Sequence, residues 1–192
     1  MSYMQGRGMF EDRRSKRVVF VAHCVLNQNA KIDGCAQYPG AMWEVLQVLV
    51  ASGCGIAQLP CPELIHLGLD RQVDRQASRT IESEDTRVGQ AMEASAGVLC
   101  CRRIAEEAAH QVEEYLRNGF VVLGMLGING SPTCGVETTW SAGGETAGRG
   151  VLIRELDEAC KRRGVSLGAR GIKAGEPAEA TRVATEVSGG AA

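Results

Sequence analysis

At 192 residues, with 44% hydrophobic and 23% charged side chains, the chain is long enough to bury one sizeable core, and a single domain is expected. A formal net charge of -2 excludes the surplus of positive charge that grips a nucleic-acid backbone, so bulk nucleic acid is not an expected partner. No stretch approaches the roughly 18 uninterrupted apolar residues of a membrane span, and residues 1–16 mix acids and bases without a signal-like apolar core, which predicts no membrane partner and a cytoplasmic location.

Residues 1–16 are expected to form a flexible segment. Residues 17–22 read as a strand buried on both faces. The spacing of Met42, Val45, Leu46 and Leu49 then predicts a helix over 41–52 ended by Gly53, and 55–59 is the next strand, completing a right-handed βαβ unit. Residues 64–80, with His66, Asp70, Arg71, Asp74, Arg75 and Arg79, read as a surface loop or flap. Helix is predicted from 86 to 118, with a possible break at Arg102-Arg103, while Glu82, Glu84 and Asp85 gather where its positive end favours acids. Residues 120–126 form a third strand, 148–164 frame a further helix, and 165–169 make a weak fourth strand. The alternation predicts a three-layer α/β fold, a mostly parallel, Rossmann-like sheet with helices on both faces, over 17–172. Residues 173–192 offer little to bury and are expected to be disordered.

The chain has eight cysteines. Among reduced thiols, Cys54, Cys100, Cys101 and Cys160 suit the part of small buried hydrophobes in strands and helices, whereas Cys35 has no evident place. Cys24, Cys61 and Cys134 differ, because each follows an apolar, strand-like run. The carboxyl ends of parallel strands lie side by side, where open α/β sheets bind ligands, so these three thiols are expected to meet. Three soft sulfur donors suit an iron-sulfur cluster or zinc. The alternative is three small buried side chains at strand ends.

Four segments carry a resemblance: Ala22-His23-Cys24-Val25-Leu26-Asn27, Asp33-Gly34, Cys61-Pro62-Glu63 and Ser131-Pro132-Thr133-Cys134-Gly135. In this order the chain resembles the bacterial thiouracil desulfidases and their relatives over residues 18–172. Their signatures are Ser-Ala-Cys-Leu-Leu-Gly, Tyr-Asp-Gly, Cys-Pro-Glu and Ser-Pro-Ser-Cys-Gly. His23, Asn27, Ile32 and Thr133 depart from the family pattern; the three cysteines do not.

The resemblance implies that Cys24, Cys61 and Cys134 hold a four-iron, four-sulfur cluster, readily lost in air, whose remaining iron is open to a substrate sulfur. The implied partner is a small thiolated heterocycle such as a thiopyrimidine, converted to its oxo form with release of sulfide. Glu63 and then Asp33 are the carboxylates nearest the ligands in sequence and are candidates for acid-base work, with Ser131 a candidate for orienting water or substrate. On sequence alone Asp33-Gly34 suits a plain turn better than catalysis, and Glu63 suits a solvated carboxylate capping a loop or helix start. His23 and His66 read as anchors for carbonyls, although His23 abuts a ligand and can donate a hydrogen bond to cluster sulfur or substrate. The glycine-rich 143–150 stretch lacks the Lys-Ser/Thr ending of a phosphate loop and reads as a lid or a tight helix start, with Arg149 a weak anion contact. The competing functions are a zinc hydrolase built on the same thiolates and a non-catalytic module that binds a cluster or small molecule.

Overall fold

In the computed structural model, residues 12–189 are described; the expectations for residues 1–11 and 190–192 lie outside them. In chain order the elements are β1 (Arg17–Val21), α1 (His23–Leu26), a 3-10 turn (Gln28–Ala30), α2 (Trp43–Ala51), β2 (Gly55–Gln58), α3 (Pro62–Leu67), α4 (Ile81–Glu93), α5 (Ser95–Arg117), β3 (Val121–Ile128), β4 (Thr138–Ser141), β5 (Gly144–Ala147), α6 (Val151–Arg162), β6 (Ala169–Ile172) and α7 (Pro177–Ser188).

Strands β2, β1, β3 and β6 form one parallel sheet in that order. Val19, Phe20 and Val21 of β1 and Met125 and Leu126 of β3 are fully buried, as strands covered on both faces require. The route turns one way from β1 to β2 and the other way from β3 to β6. Right-handed crossovers therefore place helices on opposite faces. Helix α2 packs with α7 on one face, and α5 packs with α6 on the other, joined by α3 and α4. The fold is the three-layer α/β arrangement, with an added β4–β5 antiparallel hairpin.

Several local expectations are corrected. Residues 64–67 are helix rather than loop, the continuation of α3, because Cys61 caps it through its sulfur, which accepts from the Leu64 amide at 3.5 Å, and Pro62 sits in the first turn, where its missing N–H costs nothing. The long helix breaks at Ala94, not at Arg102-Arg103, since both arginines simply face outward and Arg102 pairs with Glu155 at 2.8 Å. The fourth strand lies four residues later than the apolar signal of 165–169 suggests. The 143–150 stretch is no lid, but its end is the tight helix start: Gly150 caps α6, where a side chain would collide with the Thr133 carbonyl oxygen. Its first half closes a two-residue hairpin turn, with Ala142 at φ 52° and Gly143 at φ 83°, the backbone such turns demand. Arg149 is paired with Asp157 and has no anion role here.

The tail is the largest correction: residues 177–188 form α7, not a disordered end. Ala180, Val183 and Ala184 are buried because small side chains let this helix lie close against α2, β3 and β6. Truncation before Pro177 is expected to destabilise the fold by at least the roughly 1.5–3 kcal/mol of one buried valine. A thermal or urea unfolding transition unchanged by that truncation would contradict the packing.

Candidate functional site

The order of the sheet reverses between β1 and β3, so their carboxyl ends leave a crevice. Cys24 follows β1 in the single turn of α1, Cys61 follows β2 as the cap of α3, and Cys134 follows β3. All three line one cavity of about 360 Å³, together with Cys35, Glu63 and Ser131. The structure thus brings together five of the six predicted site residues. Asp33 is the exception: it stands exposed on a turn lining the neighbouring cavity of about 880 Å³, so its Asp-Gly signature serves the turn. His66 lies on α3 outside the cysteine-lined cavity.

Local hydrogen bonds explain how the cysteine-bearing loops are held. The Gln28 side chain, 1% exposed, donates to the Cys24 carbonyl at 2.7 Å and accepts from the Gln37 amide at 3.2 Å, tying the segment after β1 to its return. Ser131 Oγ accepts from the Cys134 amide at 3.0 Å, and the Ile128 amide donates to the Cys134 carbonyl at 2.9 Å. Ser131 is therefore first a clasp that fixes Cys134. Gly135 is required by close approach, since a side chain there would collide with the carbonyl oxygens of Thr138 and of Ser131.

Glu63 is held from two sides. Thr133 donates its hydroxyl to one carboxylate oxygen, and Arg71 Nε approaches the other at 3.4 Å. Thr133 is the residue that departs from the family's serine, and it retains the hydroxyl.

Arg71, read from sequence as part of a surface flap, is the main surprise: it is 1% exposed. Its guanidinium donates to the carbonyls of Gly68 at 2.7 Å, Leu69 at 3.1 Å and Ala30, and lies 3.8 Å from the Cys61 sulfur. The residue is held at φ 55°, a left-handed backbone that a non-glycine residue adopts only when its surroundings fix it. One buried cation therefore joins the loop after Cys24, the start of α3 and the flap. No spacing or periodicity in the sequence distinguishes it from its exposed neighbours Arg75 and Arg79.

Electrostatics follow from burial. Desolvation pushes the Cys24 thiol up to about 12 and the Cys61 thiol up to about 11, and raises Cys134 well above the usual thiol range, with neighbouring thiols and Glu63 adding to the effect. Buried sulfurs of this kind lose their protons to a metal rather than to water. His23 also faces the cavity; burial and the Arg71 charge lower its pKa, Gln58 engages Nδ1, and its buried Nε2 has no partner among the described residues.

Cys24, Cys61 and Cys134 supply three soft sulfur donors to one cavity, the donor type that iron-sulfur clusters and zinc take. Among the described residues, no group of three or more His, Cys, Asp or Glu side chains is arranged to hold one metal ion. All eight cysteines are free. Cys101 and Cys160 are buried, Cys54 accepts from the Ser52 hydroxyl at 3.1 Å, and Cys100 points to the Pro62 carbonyl at 3.8 Å, none of them lining the cavity. No helix among the described residues is long and apolar enough to cross a membrane.

No family model matches the chain. It is 32% identical over 143 residues to the uncharacterised protein MJ0003 of Methanocaldococcus jannaschii, an alignment covering 74% of this chain and 77% of that one. Among solved structures, it is similar to the 4Fe-4S-dependent thiouracil desulfidase TudS, with 22% identity and a TM-score of 0.44, over 86% of this chain and 95% of that one.

Proposed function

This chain belongs to the family of the uncharacterised Methanocaldococcus jannaschii protein MJ0003, and we propose that it acts as an iron-sulfur-dependent desulfidase on a small thiolated heterocycle. The observation that carries this reading is one cavity lined by thiols from three different strand ends and by a carboxylate held in place by a buried arginine. The four family-like segments support it. Cys24, Cys61 and Cys134 would hold a four-iron, four-sulfur cluster, which when bound supplies an open iron with affinity for the soft sulfur of a thiocarbonyl.

The chain's own residues do the rest. Glu63 takes a proton from water as the water oxygen bonds to the thiocarbonyl carbon. Its carboxylate is oriented for that task by the Thr133 hydroxyl and Arg71, so it does not have to be ordered when substrate arrives. Ser131 keeps the Cys134 loop fixed and its hydroxyl beside Thr133, at 3.2 Å. Ile32 and Ile81 add apolar surface to the cavity wall, which suits a heterocyclic ring.

The test is anaerobic purification with iron and sulfide analysis, followed by incubation with 2-thiouracil and 4-thiouracil. Sulfide release together with the oxo base is expected. Glu63→Gln is expected to lower kcat by about 10²–10⁴-fold with the cluster retained, the usual range for loss of a positioned base. Zinc in place of iron and acid-labile sulfide, or an unchanged rate in the Glu63 variant, would contradict the reading.

A further inference from the structure

The cysteine-lined cavity contains a second carboxyl group that Glu63 leaves without a task. Asp85 stands in the second turn of α4, half-buried, lining the same cavity. It makes no hydrogen bond or ion pair among the described residues. Its helix neighbours are otherwise engaged: Glu84 pairs with Arg87 at 2.8 Å, and Glu82 is exposed in the first turn. A half-buried carboxyl group at the wall of a cavity, with no partner among the described residues, is free to engage whatever enters the cavity.

The groups facing Asp85 from the surrounding elements are Glu63 from α3, Lys31 and Cys35 from the segments after the 3-10 turn, and Glu82 and Glu84 from its own helix. Burial first, and the Glu63 charge second, push the Asp85 carboxyl up to about 6, against the opposing pull of Lys31. Glu63 differs in kind, because both its oxygens accept hydrogen bonds. Two carboxyls in one cavity, one held as a hydrogen-bond acceptor and the other with its pKa raised by burial, are the pattern of a base and an acid.

We propose that Asp85 is a catalytic acid that works opposite Glu63, giving its proton to the departing sulfur. This rests on the desulfidase reading. In the first step, Glu63 takes one water proton as the carbon-oxygen bond forms and the electron pair of the C=S double bond moves onto sulfur. In the second, the carbon-sulfur bond breaks, sulfur takes the Asp85 proton, and the hydroxyl proton returns to the Asp85 carboxylate as the carbonyl forms. The products are the oxo heterocycle, hydrosulfide and the proton that Glu63 releases to solvent; no oxidant or reductant is consumed.

The experiment compares wild type, Asp85→Asn and Asp85→Glu after iron and sulfide content has been measured, with 4-thiouracil and 2-thiouracil as the probes and sulfide release followed from pH 5 to 9. For the wild type, kcat/KM is expected to fall about tenfold per pH unit above about 6, because the acid form is the active one. Asp85→Asn is expected to lose about 10²-fold in kcat and to lose that alkaline fall, with iron content unchanged. Asp85→Glu is expected to recover part of the rate and the pH-dependent limb. An Asp85→Asn enzyme with wild-type rate and profile would overturn the assignment while leaving the desulfidase reading intact. A wild-type enzyme with a full cluster that releases no sulfide from either base would overturn both.

Discussion

Protein carrying Cys134→Ser, prepared without air, is expected to fold and yet to contain neither the iron nor the acid-labile sulfide of the wild-type chain. The backbone at this position is pinned independently of its side chain. Ser131 Oγ holds the amide at 3.0 Å, the Ile128 amide holds the carbonyl at 2.9 Å, and Gly135 fills a space too small for a side chain. Removing the sulfur therefore removes a donor and leaves the loop in place. A serine hydroxyl is a hard, weakly acidic donor and does not replace a soft thiolate. The check compares metal content with the urea midpoint of metal-free wild type and variant. Lost iron with a preserved midpoint supports a ligand role. Retained iron would return Cys134 to the part of a small buried residue.

Arg71→Ala is expected to cost about 3–5 kcal/mol of stability, the range for deleting one partner of a buried ion pair. The reason is the number of groups it satisfies: the carboxylate of Glu63, the sulfur of Cys61 and three backbone carbonyls, all around a side chain 1% exposed. Arg71→Lys is expected to recover little, since a single ammonium cannot span partners that a planar guanidinium reaches on several edges. Equilibrium urea unfolding gives the size of the effect, and a double-mutant cycle with Glu63→Gln isolates the pair. Coupling below about 0.5 kcal/mol would show that the two side chains act independently.

The sequence made the sheet and the three cysteine loops at its edge legible through one signal, apolar runs followed by cysteine. That signal survives because β1 and β3 are buried on both faces, where every residue must be apolar. Edge strand β6 is different: Arg170 and Gly171 interrupt it, so its pairing with β3 could not be read from hydropathy. Helix α7 was hidden for a related reason, because Ala180 and Ala184 earn their burial by closeness of approach rather than by size. Glu63 and Ser131 were legible as neighbours of the cysteines whose cavity they share. Arg71 and Asp85 were not, since a buried ion pair and an unpartnered acid depend on how the flap and α4 fold back over the cavity. Asp33 shows the converse: nearness in sequence to Cys24 does not bring it into the same cavity.

Iron and acid-labile sulfide, counted per chain after anaerobic purification and followed spectroscopically as a thiobase is added, test the central claim most directly. The account predicts about four of each, with one iron changing its environment on addition of the thiobase and the other three unaltered. A chain that binds no iron under these conditions, or whose cluster is indifferent to every thiobase while its thiols remain free, would contradict it.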